Sequence, residues 1–210
     1  MKVLVACEES QAVAKAFRLM GHEAFSCDIE PCSGGHPEWH LQCDALELLK
    51  MRWDMIIAFP PCTYMALAGA VRMRVKGQIV PERYEKAMAA RAFFMRFYDA
   101  DCPKVAIENP TPMAIVGLPP YDQVVQPWQF EVPGGEPCLY SKRTCLWLKG
   151  LPPLVPAITV RPSGVLSFVN GGCKDAHGNY RRFQGRRERD PKIRSKTFPG
   201  VAAAMAVQWG

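Results

Sequence analysis

Residues 53–64 read Trp53-Asp54-Met55-Ile56-Ile57-Ala58-Phe59-Pro60-Pro61-Cys62-Thr63-Tyr64, an apolar segment that ends at two prolines and a cysteine. The continuous apolar run from Met55 to Ala58 is typical of a parallel β-strand that is covered on both faces. Because proline fixes φ and has no N–H, the chain should leave the sheet here in a stiff turn. Ligands bind at the carboxyl ends of strands in open α/β sheets, so Cys62 is a candidate nucleophile. A small cysteine that only fills a loop is the alternative interpretation.

A second apolar segment, Lys104 to Pro110, ends with a carboxylate, an amide and a proline. It predicts another short buried strand, with Glu108 and Asn109 at its carboxyl end. If the two strands are parallel neighbours, Glu108 and Asn109 lie at the same sheet edge as Cys62. A long helix from Pro81 to about Asp99 is expected to connect them in a right-handed crossover. Its expected apolar face consists of Tyr84, Met88, Ala92, Met95 and Phe97.

These two strand ends resemble motifs of the DNA (cytosine-5) methyltransferases, and the small phage- and prophage-like members are the most similar. The resemblance implies an α/β fold with a Rossmann-like class I methyltransferase sheet and helices on both faces. It also implies S-adenosyl-L-methionine as cofactor and DNA as partner. In that family the Pro-Cys cysteine is the nucleophile and the Glu-Asn pair holds the cytosine, which gives these roles to Cys62, Glu108 and Asn109. Arg143 matches a family arginine ahead of a later strand and is expected to contact the base or a phosphate.

The beginning of the chain predicts a cofactor site. A strand at residues 2–6 is followed by a turn and by a helix from Gln11 to Met20, for which Ser10 is the expected N-cap. A second strand, Glu23 to Asp28, ends in an acid that is placed to accept hydrogen bonds from a ribose. The expected cofactor-binding residues are Cys7, Glu8, Glu9, Ser10, Asp28, Ile29, Asp44, Phe59 and Pro60.

The assignments at the first turn and at Asp44 depend on the resemblance. The family usually carries a Phe-x-Gly-x-Gly turn after the first strand, and here Cys7 to Gln11 stands in its place. The family also has an acid after the third strand that accepts from the adenine amino group, and Asp44 matches it. For Glu8 and Glu9 the alternative is a solvated pair favoured by the helix macrodipole.

Cysteine and histidine residues at positions 32–43 raise the question of a metal site. Cys32, His36, His40 and Cys43 have the right side chains for zinc, but their spacing is not that of a paired-cysteine site and Gly and Pro interrupt the segment. We therefore expect no metal and a loop that packs around Trp39, with zinc as the alternative.

Basic residues predict a nucleic-acid surface in two places. The loop after Cys62 contains Arg72, Arg74 and Lys76 with no acid before Glu82, which favours phosphate contacts. Residues 174–196 contain nine Lys and Arg against three Asp and Glu, interleaved with aromatic residues. The bases expected to contact nucleic acid there are Arg181, Arg182, Arg186, Arg187 and Arg189. Solvated basic loops are the alternative in both places.

Length and composition set the broad class. The chain has 210 residues, a net charge of +6 and a sequence pI of about 8.9, which predicts one domain and favours a polyanionic partner. No segment approaches the roughly 18 apolar residues of a membrane span. With no signal peptide apparent, we expect a cytoplasmic protein whose nine cysteines are reduced.

The expected organisation is a catalytic core at 1–150, a short basic target-recognition segment at 151–196 and a C-terminal helix at 197–210 that packs back on the core. Further strands are expected at Gln123 to Phe130 and at Arg143 to Gly150. Three functions remain open: a DNA cytosine-5 methyltransferase, the same chemistry on RNA or a free cytosine nucleotide, and a non-catalytic nucleic-acid-binding relative.

Overall fold

The computed structural model describes residues 1–132, 134, 138–169, 172–174, 180–182, 188 and 190–210. Three of the bases expected to contact nucleic acid, Arg186, Arg187 and Arg189, lie outside these residues. The strands of the described chain, numbered in order, are β1 (Lys2–Ala6), β2 (Glu23–Asp28), β3 (His40–Gln42), β4 (Met55–Ala58), β5 (Arg74–Val75), β6 (Gln78–Ile79), β7 (Val105–Asn109), β8 (Gln123–Val125), β9 (Tyr140–Ser141), β10 (Thr144–Lys149), β11 (Leu166–Ser167), β12 (Gly172–Lys174) and β13 (Tyr180–Arg182).

Seven strands form one mixed sheet in the order β3-β2-β1-β4-β7-β10-β8. Five of them, β3, β2, β1, β4 and β7, run parallel to one another. Strand β10 runs antiparallel to both β7 and β8. The parallel pairing of β4 with β7 joins Ala58 to Ile107, so the two turns predicted to carry the chemistry leave the sheet side by side. The predicted α/β class and the parallel neighbourhood of these two strands are confirmed.

Helices cover both faces of this sheet. They are α1 (Ala12–Leu19), α2 (Ala45–Leu48), α3 (Pro81–Tyr98), α4 (Pro191–Ser195) and α5 (Pro199–Trp209). Val3 and Val5 of β1 pack with α1 and α5 on one face, and Leu4 and Ala6 pack with α2 and α3 on the other. The alternation follows from the two-residue period of a strand, and all four side chains are fully buried.

The C-terminal helix α5 packs against α1 on the sheet face that carries Val3 and Val5. Its buried side chains include Val201, Met205 and Trp209. Gly200 lies so close to the main chain at Phe130 and Glu131 that a Cβ there would come within 2.7 Å of a carbonyl oxygen. The start of α5 is therefore fixed against the end of the β8 region. None of the described helices is long and apolar enough to cross a membrane.

Several element boundaries differ from the sequence predictions. The N-cap of α1 is Gln11 rather than Ser10, and β8 is only three residues long because Pro127 begins a 3-10 turn. The buried face of α3 is Ala87, Phe94 and Phe97, whereas the predicted Tyr84 and Ala92 are exposed. The helix begins at Pro81 as predicted, and of its predicted apolar face Phe97 is buried while Met88 and Met95 pack partly buried against the core.

Candidate active site at the carboxyl edge of the sheet

The Cys62 turn and the end of β7 are joined by the Asn109 side chain. Asn109 is fully buried, and its Nδ2 donates to the carbonyl oxygen of Pro60 at 2.9 Å. Its Oδ1 is also buried and has no hydrogen-bond partner among the described residues. Asn109 thus fixes the turn that presents Cys62 and leaves one acceptor free beside it.

Main-chain hydrogen bonds join the same two segments further along. Leu67 N donates to Thr111 O and Met113 N donates to Met65 O, each at 2.8 Å, and Ala66 forms a β-bridge with Pro112. The segment after Cys62 and the segment after Asn109 are therefore held together by main-chain pairing.

Glu108 is half-buried and faces the beginning of β10. Since β10 is antiparallel to β7, its first residues lie at the edge where β7 ends, with Leu146 opposite Glu108. Burial raises the pKa of Glu108 above its ordinary value, and the Lys142 ammonium and a hydrogen bond with Thr144 oppose this rise. A carboxyl with a raised pKa is suited to donating a proton near neutral pH.

The half-buried thiol of Cys62 lies in the field of Glu108 and of two cations. Burial and then the Glu108 carboxylate raise the pKa of Cys62, while Lys142 and Arg194 lower it. The two cations come from different elements, since Lys142 precedes β10 and Arg194 lies in α4. The thiol is therefore mostly protonated at neutral pH and depends on these cations for its thiolate fraction.

The structure brings Lys142, not Arg143, to this pair. The Arg143 guanidinium is exposed and donates to the Thr111 hydroxyl at 3.0 Å and to the Tyr121 hydroxyl at 3.3 Å. Adjacent residues of an extended chain point to opposite faces, so Lys142 and Thr144 share the face of Glu108 and Arg143 does not. Lys142, Thr144 and Arg194 are residues beside this pair that the sequence motif did not indicate, and contact of Arg143 with a base or a phosphate stays a prediction.

A small cavity of about 20 Å³ borders this cluster. Glu108, Lys142 and Thr144 form one side, and Thr197 and Phe198 at the start of α5 form the other. The volume is enough for about one water molecule. The C-terminal helix therefore closes the site around the Glu108 carboxyl.

The ends of β1, β2 and β3 place a second group of predicted residues together. The Cys7 thiol lies close enough to Asp28 and Asp44 that these carboxylates, after burial, raise its pKa. Asp28 Oδ1 accepts from Glu30 N at 3.0 Å, and Asp44 Oδ1 caps α2 by accepting from Leu46 N at 2.9 Å. The other oxygen of each carboxylate, Oδ2, takes no part in these two hydrogen bonds.

The other residues expected to bind cofactor have varied surroundings. Ile29 is 73% exposed, and Pro60 is buried in the turn before Cys62. Phe59 N donates to Ala6 O at 3.0 Å, which fixes β4 beside the first turn. Glu9 and Ser10 are half-buried, and Ser10 borders a larger groove between α1 and α5.

The first turn reaches an unusual backbone conformation without glycine. Cys7 and Gln11 have φ of 59° and 57°, in the left-handed region that most residues avoid. Gln11 is fully buried, and its amide bonds to the Ser26 hydroxyl at 3.2 Å and to His36 O at 2.8 Å. A Cβ on Gly34 would meet the Gln11 side chain at 2.5 Å, so this turn and the loop after β2 are packed against each other.

Three of the four residues considered for a metal site, His36, His40 and Cys43, have other partners. His36 stacks on Trp39 with ring centroids 3.8 Å apart, and His40 Nδ1 is 2.9 Å from the Ser26 hydroxyl. Cys43 Sγ lies 3.9 Å from Cys27 Sγ. Among the residues that the structure describes, no three His, Cys, Asp or Glu side chains are grouped to hold a metal ion.

A larger cavity lies away from Cys62. It has a volume of about 680 Å³ and is lined by α1, α5, Ser33 and Phe168. Its lining is mostly apolar, and the charged residues that border it are Lys15 and Lys196. Because it contains neither Cys62 and Glu108 nor Asp28 and Asp44, the chemistry is assigned to the sheet edge rather than to this groove.

Exposed bases follow the Cys62 turn. Arg72 ends a 3-10 helix, and Arg74 and Lys76 lie on the β5–β6 hairpin, all three exposed. Lys76 has φ of 50° at the tip of that hairpin. Arg181 and Arg182 belong to β13, which pairs antiparallel with β12.

No protein-family model and no curated protein matches this chain.

Proposed function

We propose that this protein transfers a methyl group from S-adenosyl-L-methionine to C5 of cytosine in DNA. The observation that carries the proposal is the pairing of Cys62 with Glu108 at adjacent strand ends, locked by the hydrogen bond from Asn109 to Pro60. A thiol next to a carboxyl of raised pKa is the pair that addition to a cytosine ring requires.

The strand order supports a nucleoside cofactor. With the strands of the main sheet counted along the chain, the first five have the order 3-2-1-4-5. This is the order of nucleotide-binding α/β sheets, in which the cofactor lies outside the carboxyl ends near the point where the order reverses. Here that point is between β1 and β4, with Cys7 on one side and Phe59 on the other.

The acids at the ends of β2 and β3 fit the donors of such a cofactor. Asp28 is placed to accept from ribose hydroxyls and Asp44 from an adenine amino group, each with the oxygen that its own loop does not use. S-adenosyl-L-methionine would supply the methyl group as an electrophile on a positively charged sulphur. The carboxylates at this edge favour that positive charge.

Asn109 supports the site through the turn before Cys62. Adjacent residues of β7 point to opposite faces of the sheet, so Asn109 holds the Pro60 turn from the face opposite Glu108. Lys142 shares the face of Glu108 and would approach the ring oxygen O2 or a phosphate. Lys142 would thus help to hold the ring while Glu108 faces N3.

The chemistry then follows from the two central side chains. The Cys62 thiolate would add to C6 while Glu108 gives its proton to N3, which leaves an electron pair at C5. C5 would take the methyl group as the sulphur–methyl bond of the donor breaks and S-adenosyl-L-homocysteine leaves. The C5 proton next leaves to a base, the bond from Cys62 to C6 breaks, and N3 returns its proton to Glu108. Because C6 is stacked inside a duplex, the base must be flipped out or already unpaired.

The exposed bases beside the Cys62 turn support a nucleic acid as substrate. Arg72, Arg74 and Lys76 follow the nucleophile within 14 residues of chain, where they can neutralise phosphates that flank a flipped base. A free nucleotide has no flanking phosphates, and RNA differs by its 2′-hydroxyl. RNA and the free nucleotide are therefore tested beside DNA in the trapping experiment that follows.

The decisive experiment is covalent trapping with 5-fluorocytosine placed in DNA, in RNA and in the free nucleotide. Fluorine at C5 cannot leave as a proton does, so the adduct with Cys62 should persist and migrate as a protein–substrate complex on a denaturing gel. We expect trapping with DNA, only in the presence of S-adenosyl-L-methionine. The Cys62→Ser variant should give none.

The matched control is Cys32→Ser, since Cys32 is also a half-buried free thiol and should trap as the wild type does. Trapping with RNA or the nucleotide alone would transfer the proposal to that substrate. Absence of an adduct with all three, together with no transfer of labelled methyl, would refute it.

A further inference from the structure

The carboxylate of Glu8 closes the amino end of α1. Glu8 is only 4% exposed, and its two oxygens accept from Val13 N at 2.7 Å and from Ala14 N at 3.2 Å. These are the second and third residues of the helix. The N-cap residue Gln11 makes no side-chain bond to the helix, so Glu8 provides the cap from three residues further back.

The amino end of the first helix is normally where a nucleotide phosphate binds. Its unpaired N–H groups and the helix dipole attract anions, and in dinucleotide-binding sheets the pyrophosphate lies there. In this chain two of those N–H groups are already bonded to a carboxylate that belongs to the protein. A phosphate would have to displace Glu8 into a buried position without partners.

We propose that Glu8 excludes phosphate-bearing nucleotides from the strand-end site, which therefore accepts a nucleoside without a phosphate at the first turn. The inference rests on the proposed function only in placing a nucleoside cofactor at this edge. It goes beyond it by naming the residue that separates S-adenosyl-L-methionine from adenine dinucleotides, which share its adenosine.

Both occupancy and charge contribute to this exclusion. Burial raises the pKa of Glu8 to about 7, with Lys15 and the two helix N–H groups opposing the rise and Glu9 adding to it. At neutral pH Glu8 is therefore partly ionised, and in either form it fills the space in front of Val13 and Ala14. Asp28 and Asp44 at the neighbouring strand ends add further repulsion of a phosphate.

The test uses inorganic pyrophosphate and NAD as probes of the ¹⁵N-labelled protein. The amide signals of Val13 and Ala14 report binding at the helix end directly. The wild type should show no saturable shift with either probe. Glu8→Ala, which exposes the two N–H groups, should bind pyrophosphate at least roughly tenfold more tightly, with shifts at these two amides.

Two further variants separate the causes. Glu8→Gln keeps the size of the side chain and should still exclude pyrophosphate, because a neutral amide fills the same space. Glu85→Ala removes one exposed negative charge from α3 and should behave as the wild type, which controls for net charge.

Saturable binding of pyrophosphate or NAD to the wild type at Val13 and Ala14 would overturn the inference, whether or not Glu8→Ala folds. A folded Glu8→Ala protein that gains no anion affinity would overturn it as well. A parallel titration with S-adenosyl-L-methionine keeps the two claims apart: if the wild type fails to bind it while the pyrophosphate results hold, the proposed function alone is contradicted.

Discussion

Asn109 donates a hydrogen bond to Pro60 across 2.9 Å, and this single contact connects the strand that ends in Glu108 to the turn that presents Cys62. Both residues are buried. The distance between the Cys62 thiol and the Glu108 carboxyl therefore depends on the side-chain amide of Asn109, which is neither of these two groups.

Replacing Asn109 with alanine should lower methyl transfer by roughly one hundredfold or more, since small displacements of reacting groups cost about that much. Binding of S-adenosyl-L-methionine should change little, because Asn109 is not at the ends of β1, β2 or β3. Single-turnover kinetics and calorimetry on the same protein measure the two effects. Equal losses in both would mean that the whole edge has collapsed.

Lys142 should set the reactivity of Cys62. In Lys142→Met the pKa of Cys62 should rise further, because a nearby opposite charge is lost. The pH dependence of alkylation at Cys62, followed by peptide mass spectrometry, measures this without an activity assay. Arg143→Met is the matched control, since it removes the adjacent charge on the other face, and a shift of equal size there would restore Arg143 to the site.

Asp44 should contribute to cofactor affinity through its charge. Asp44→Asn keeps an oxygen that can cap α2 at Leu46 and should still weaken S-adenosyl-L-methionine binding about ten- to a hundredfold, the worth of one charged hydrogen bond. Calorimetry tests this, and thermal unfolding checks that the cap is retained. Unchanged affinity would show that the acid after β3 has no cofactor role.

Glu8 should make the protein less stable as pH rises. Its pKa is raised from 4.5 to about 7 in the folded protein, so its stabilising effect is fully present below pH 4.5 and is lost as pH increases through 7. The loss should amount to ~3 kcal/mol between these limits. Urea unfolding of wild type and Glu8→Gln at pH 5 and pH 8 isolates it, because the similar contribution of Glu108 is common to both; parallel pH profiles would argue against a buried, titrating Glu8.

Salt dependence should reveal the nucleic-acid contacts of the Cys62 loop. Replacing Arg72, Arg74 and Lys76 together with alanine should weaken DNA binding to all sequences alike and reduce the slope of log K against log salt by up to ~3, since each phosphate contact contributes about 0.9. The control triple is Lys50, Arg52 and Arg96, which are exposed near the opposite sheet edge. If the control changes the slope equally, the loop is only a solvated basic surface.

The sequence predicted the parallel half of the site well. Apolar runs that stop at Pro-Pro-Cys and Glu-Asn-Pro define β4 and β7 closely, because buried strands leave a continuous apolar signal and proline ends them. The acids Asp28 and Asp44 were likewise placed at or just past strand ends. In each case the candidate residue is local to its strand, and chain order alone indicates where it lies.

The antiparallel half was not predictable in the same way. No pattern in residues 140–149 indicates that β10 runs antiparallel to β7. Only this antiparallel pairing brings Lys142 and Thr144 close to Glu108. With the strand direction given, alternation of side chains would have selected Lys142 over Arg143. The capping role of Glu8 was missed for a different reason. Glu8 was expected to bind cofactor or, as the alternative, to form a solvated pair with Glu9, whereas the left-handed Cys7 turns Glu8 back onto the helix end.

The main-chain pairing of Met65, Ala66 and Leu67 with residues 111–113 divides the region after the nucleophile into a fixed base and an arm. Any swing of this arm over a bound strand is confined to the β5–β6 hairpin, because those bonds hold the chain up to Leu67 and Met73, only 2% exposed, is packed in the core. Stiffening or cutting the arm at the Lys76–Gly77 tip should therefore alter how long DNA stays bound while the nucleophile and its acid keep their spacing. Under the proposed function, capture of the strand and attack on the base would then be mechanically separable.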